Sequence, residues 1–155
     1  MRHYIDKYLE RILVVIMALM VLSVLWQVFA RYILSAPSSF TEELSRFLFI
    51  WIGVLGTAYA SGKRTHLAIT ILPQKLDAAK RRLLNILINI LIALFALTIM
   101  IIGGVNLVYV NYSLGQVSAA LNLPLAVVYS IVPISGVLIV FYKIHEIVYA
   151  KKYLQ

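Results

Sequence analysis

The chain has 155 residues, of which 63% are hydrophobic and only 13% charged, with a formal net charge of +8 and no cysteine. Soluble domains average roughly a quarter charged residues, so every long uncharged run here reads as a membrane span. The basic residues stand at the ends of those runs, as membrane proteins use them, which argues against a nucleic-acid partner; without cysteine, disulfides, thiol catalysis and cysteine-bound metal are excluded.

Residues 1–11 mix Arg2, Lys7 and Arg11 with Asp6 and Glu10 and read as a short amphipathic lead-in. Residues 12–30 are nineteen without a charge, close to the ~20 that cross a bilayer core, and the first span is placed at about 12–34. Ser35-Ala36 raises the alternative of a cleaved signal peptide. Its apolar region normally covers about 7–15 residues, fewer than this run. Trp26, Gln27, Arg31 and Tyr32 close the span. They read either as an interfacial belt with a snorkelling arginine, or, with Ser23, Gln27 and Arg31 four residues apart, as a face turned toward protein.

The linker Leu34–Ser39 leads into the stretch around which the chain is organised, 39–66. Ser39 followed three residues later by Glu42 is a capping-box pattern that places a helix start near Phe40 and a span at about 40–62. Glu42 and Glu43 fall in the first turn, where the helix dipole favours negative charge, and Arg46 lies within reach of either. Glu42, Arg46, Phe49, Gly53, Gly56 and Ala60 alternate steps of four and three and share one face. Small residues beside an ion pair suit the close approach of another helix. Phe40, Leu44, Phe47, Trp51 and Ala58 form a bulkier stripe that meets lipid or a neighbour.

Lys63, Arg64 and His66 follow this span. Segment 66–82, with Pro73 and the basic residues Lys75, Lys80, Arg81 and Arg82 among Leu76, Ala79 and Leu83 at helical spacing, fits an amphipathic helix lying in the membrane surface. His66 has no second histidine or acid at ligand spacing and takes a solvated or interfacial role. Residues 83–142 carry no formal charge and are expected to hold two spans, about 83–104 and 124–142. Gly103-Gly104 marks a bend or end of the first. Asn106, Asn111, Gln116, Ser118, Asn122 and Pro124 make a polar connecting loop, and Pro133 kinks the last span. Lys143, His145, Glu146, Lys151 and Lys152 are expected outside the hydrocarbon. Twelve basic residues then flank one side of the membrane and only Arg31 and Arg46 the other, which puts both termini in the cytoplasm.

A self-sufficient transporter needs polar or ionisable groups within the bilayer. Between residues 12 and 142 the only carboxylates are Glu42, Glu43 and Asp77, all expected near interfaces. Asn85 and Asn89 share a face and read as interhelical glue rather than a binding site. No phosphate-binding glycine loop, nucleophile constellation or metal cluster is present in the sequence, so no enzyme activity and no cofactor are expected.

The stretch from Thr41 to His66 resembles the signature region of the small membrane subunit of tripartite ATP-independent periplasmic (TRAP) transporters, the DctQ-like proteins. The matching residues are Glu42, Glu43, Arg46, Trp51, Gly56, Lys63, Arg64 and His66, preceded by Gln27, Phe29, Arg31 and Tyr32. The resemblance implies an accessory subunit of the bacterial inner membrane, working with a large membrane subunit as a separate polypeptide and with a periplasmic substrate-binding protein. It also implies sodium-coupled import of an organic acid, such as sialic acid or a C4-dicarboxylate, with the sodium and substrate sites on the large subunit and this chain enlarging its fixed scaffold. The sequence expectation is therefore an all-α membrane protein, a single domain over 1–155 with four spans, an interfacial segment at 66–82 and cytoplasmic termini. Its candidate partner interface is Gln27, Arg31, Glu42, Glu43, Arg46, Gly53, Gly56 and Ala60. Its candidate membrane interface is Trp26, Lys63, Arg64, His66, Lys80, Arg81 and Arg82, which meet lipid. A small self-assembling exporter, with Glu10 as its nearest candidate carboxylate, and a membrane scaffold factor unrelated to transport are the alternatives.

Overall fold

The structure, a computed structural model, describes residues 2–63 and 78–148. Helix α1 (Arg2–Tyr32) takes in the charged lead-in as well as the apolar run. It ends where the Ile33 and Leu34 amides both donate to the Phe29 carbonyl, at 2.9 and 3.4 Å. Ser35 then adopts φ +50°, a left-handed conformation that stops a helix.

Helix α2 (Ser39–Lys63) starts one residue before the capping-box expectation. The cap is Ser38, whose carbonyl accepts the Glu42 amide at 3.2 Å and whose Oγ faces the Thr41 amide at 3.5 Å. The reciprocal side chain is Thr41, whose hydroxyl returns to the Ser38 carbonyl at 3.1 Å. Adjacent serines offer two caps, and taking the earlier one leaves Glu42 free to pair along the helix.

The third long helix is built from α3 (Ala78–Phe95), a π-helical segment (Ala96–Gly103) and α4 (Gly104–Ser113). Gly103-Gly104 therefore neither ends nor breaks it, and Asn106 and Asn111 belong to α4 rather than to a loop. Polar composition misled at this point because Asn111 satisfies itself within the helix: its side-chain amide donates to the Leu107 carbonyl at 2.7 Å. Lys80 sits in the first turn of α3. The rest of the expected surface segment, 66–77, lies outside the described residues.

The fourth helix is interrupted at Ser130, between α5 (Leu125–Tyr129) and α6 (Ile131–Val148), not at Pro133. The proline falls in the first turn of α6, where a missing N–H leaves no helical bond unmade. Among the described residues four helices are long and apolar enough to cross a membrane: Tyr4–Tyr32, Ser39–Lys63, Leu83–Ser113 and Leu125–Val148.

The chain divides into two compact units. In the first (Met1–Gly56 and Asn106–Ile131), α1 shows a narrow inward seam. Leu9, Ile16 and Ala30 are buried, and Asp6, Leu13, Met20, Ser23 and Gln27 are half-buried. Together they alternate three and four residues along one face, while the rest of α1 is largely exposed. The connection after α4 folds back on itself. The Ser118 amide donates to the Leu123 carbonyl at 2.9 Å, the Leu125 amide to Gln116 at 2.9 Å, and the Leu123 amide to Ser118 Oγ at 3.2 Å.

The second unit (Thr57–Val105 and Val132–Gln155) has its core at Ala58, Ala96 and Ile139, with Ile92, Met100, Leu138 and Val140 packed against them. Glycines set the helix spacing. A Cβ on Gly136 would stand 2.8 Å from Met100 Cβ and 2.9 Å from Ile101 Cγ1. One on Gly104 would stand 2.9 Å from Pro133 Cδ. Without side chains at these points the backbones approach closely, which is how helices associate where lipid removes the usual hydrophobic drive.

Candidate subunit-docking site

The first turns of α2 send neighbouring carboxylates in different directions, because successive helical residues point about 100° apart. Glu42 faces outward and meets Arg46 at 3.6 Å, with both side chains largely exposed. Exposed pairs of this kind contribute only about 0–1 kcal/mol, so the pair does little to hold the helix. Glu43 turns to the connection after α4 instead. Its Oε2 accepts the Ala120 amide at 2.8 Å and the Leu121 amide at 3.0 Å. Two backbone donors on one carboxylate oxygen make charge-assisted bonds that tie α2 to the 118–122 turn.

Farther along α2, the face carrying Phe49 and Gly53 is open. Phe49 is 67% exposed, Gly53 is exposed and Gly56 and Ala60 are half-exposed. A Cβ built on Gly53 or Gly56 meets nothing within 4 Å. Among the described residues these two glycines therefore meet no packing neighbour, unlike Gly104 and Gly136. The opposite stripe packs internally. Trp51 Nε1 donates to the Val128 carbonyl at 3.0 Å, just before the interruption at Ser130, and Ala58 is fully buried. Leu44 and Phe47 are half-buried and Phe40 is exposed.

The remaining sequence candidates separate. On α1, Gln27 lies half-buried in the inward seam and Arg31, one turn on, is exposed. Trp26 is exposed with its ring 5.8 Å from that of Phe29. Lys63 is exposed, with its ammonium 5.3 Å from the centre of the Tyr59 ring. Lys80 is exposed; Arg81 and Arg82 lie on the α3 backbone, and Arg64 and His66 fall outside the described residues. Asn85 and Asn89 are half-buried on α3. Among the described residues, no group of His, Cys, Asp and Glu is arranged to hold a metal ion.

Two polar features escaped the sequence reading. One is the inward role of Glu43. The other is at the end of α6, where Lys143 and Glu146 pair with each other inside the protein. Both are buried, with side chains 4% exposed and 3.2 Å apart, and Lys143 Nζ also donates to the Ser61 carbonyl at 3.4 Å. Ser61 lies in the last turn of α2, whose carbonyls lack helical donors, and a cation there also complements the helix dipole. The three-residue spacing of Lys143 and Glu146 was the available signal. Gly62 was another: its Cα faces the buried Tyr142 ring so closely that a Cβ would come within 2.9 Å of it.

Residues 20–151 match the family model described as tripartite ATP-independent periplasmic transporters, DctQ component. Over 151 residues the chain is 30% identical to the sialic acid TRAP transporter small permease protein SiaQ of Vibrio cholerae, covering 95% of this chain and 83% of that protein. It is 35% identical over 100 residues to the C4-dicarboxylate TRAP transporter small permease protein DctQ of Rhodobacter capsulatus, covering 64% and 44% of the two chains. It is 29% identical over 134 residues to the ectoine TRAP transporter small permease protein TeaB of Halomonas elongata, covering 84% and 69%. The three relatives are named for three different solutes.

Proposed function

The chain belongs to the DctQ family of tripartite ATP-independent periplasmic transporters, and we propose that it is the small accessory membrane subunit of such a transporter, paired with a separate large permease subunit. In this reading it widens the fixed scaffold of the large subunit, carries no substrate site and works with a periplasmic binding protein in sodium-coupled uptake of an organic acid. Sialic acid and C4-dicarboxylates are the solute classes proposed; each names a relative of this chain, as ectoine does a third. It forms one membrane domain of the bacterial inner membrane with cytoplasmic termini, as the distribution of basic residues argues, and segment 66–82 lies in the membrane surface.

The observation that carries the docking role is the open face of α2. Glu42, Arg46 and Phe49 stand outward beside two glycines at which an added Cβ would meet nothing within 4 Å among the described residues. Close approach at small residues is the characteristic mode of helix association in membranes. Arg31 and the Glu42–Arg46 pair form its polar end, and Gly53, Gly56 and Ala60 its apolar floor.

Expression of the tagged chain from its native operon, followed by purification in mild detergent, tests this reading. We expect a large membrane protein to copurify stoichiometrically, and Gly56→Leu to lose it together with solute uptake. Because a Cβ at this position meets nothing within 4 Å among the described residues, Gly56→Leu is expected to fold, and its expression level and unfolding curve are read beside the wild type's. Wild-type copurification and uptake by that variant would sink the docking-face assignment. Recovery of the wild-type chain alone would count against the accessory-subunit reading as a whole.

A further inference from the structure

Helix α1 carries a second surface that the docking face does not use. Lys7, Glu10, Arg11, Val14 and Val15 line a shallow concavity of about 540 Å³, on the side of the helix turned away from its inward seam. Lys7 and Arg11 are one turn apart and exposed. From Arg11 the same face continues through Val15, Ala18 and Leu22, all exposed. The eleven steps from Arg11 to Leu22 span about 16 Å at the helical rise, half the roughly 30 Å hydrocarbon core. A cationic head thus joins an apolar track one leaflet deep.

We propose that this face is a binding site for an anionic phospholipid, its headgroup phosphate held between Lys7 and Arg11 and an acyl chain lying along Val15, Ala18 and Leu22. The charge favours an anion over a zwitterion, since the two cations outnumber the single carboxylate of Glu10. The length argues for lipid, because the apolar track fits one acyl chain beneath one headgroup. The proposal depends on α1 spanning the membrane and not on the pairing with a large subunit, so the two stand or fall separately.

Native mass spectrometry of the purified full chain, titrated with phosphatidylglycerol and in parallel with phosphatidylcholine, tests it. One phosphatidylglycerol should bind in clear preference to phosphatidylcholine. The Lys7→Gln/Arg11→Gln variant should bind it about 30-fold more weakly, as expected for two basic residues near an anionic lipid surface. Glu10→Gln should bind it more tightly than wild type, a gain that a purely structural role would not produce. Equal affinity for the two lipids overturns the proposal without reference to any variant. Undiminished binding by the double variant, no gain in Glu10→Gln, or an equal loss in Lys80→Gln, whose exposed cation lies on α3, would also overturn it. A lipid-independent dimer dispersed by the same double substitution would assign the face to a second copy instead.

Discussion

Truncating Lys143 to alanine isolates the energetics of the buried ion pair. The lysine ammonium lies 3.2 Å from Glu146 Oε2 and 3.4 Å from the Ser61 carbonyl, and both charged side chains are 4% exposed. Removing the cation takes from the buried Glu146 carboxylate the ammonium 3.2 Å away, and strips the end of α2 of a donor. Breaking one partner of a buried pair costs about 3–5 kcal/mol. For a chain of this size each kcal/mol moves the midpoint by about 2–4 °C, so Lys143→Ala should unfold roughly 6–20 °C earlier in detergent. Replacing both partners, as Lys143→Met with Glu146→Leu, removes the two desolvation costs together and should cost less than either single truncation. Thermal unfolding of the wild type, both single variants and the double variant closes the cycle. Additive effects, or a single truncation shifting the midpoint by less than 2 °C, would refute the reasoning, because they would mean that water already solvates both charges.

Glu43→Ala should speed amide hydrogen exchange at Ala120 and Leu121 by at least about tenfold, since its carboxylate is their acceptor; Glu42→Ala should leave those amides unchanged. Gly136→Ala should destabilise the chain by about 1–3 kcal/mol through overpacking against Met100 and Ile101. Gly53→Ala, with open space around its Cβ, should be neutral or stabilise by about 0.5–1 kcal/mol; parallel unfolding curves in detergent read both. Trp51→Phe should cost about 1–3 kcal/mol by leaving the buried Val128 carbonyl without its indole donor, measured in the same way.

The open face of α2 was legible because it follows from one helix alone. Placing Glu42, Arg46, Phe49, Gly53 and Gly56 on a common side needs only the helical repeat. The inward seam of α1 obeys the same repeat, and Ser23 and Gln27 lie on it, but from Ile12 to Leu22 every residue is apolar, so that stretch has no polar contrast to reveal which side turns inward. Polar residues misled at Asn106 and Asn111, where a helix accommodates an amide that bonds its own preceding turn. The capping serine was ambiguous for a similar reason, since Ser38 and Ser39 carry the same hydroxyl and differ only in the direction of chain entry.

Hydropathy is a property of each residue facing water or hydrocarbon, and its sum over a window needs no knowledge of neighbours. The sequence by itself therefore determined that this chain is helical, that it holds four membrane-length helices, and, through the Glu-Glu-x-x-Arg head with its glycines, that it resembles the DctQ proteins. Pairings are properties of two elements at once. Only the tertiary structure decided that Glu43 ties down the 118–122 turn while Glu42 faces outward, that Lys143 and Glu146 are buried together against the end of α2, and that Gly104 and Gly136 are filled while Gly53 and Gly56 stay open. Each of these depends on the register of a second helix or loop distant in the chain. A helix's own periodicity names its faces but cannot say which of them another element will cover.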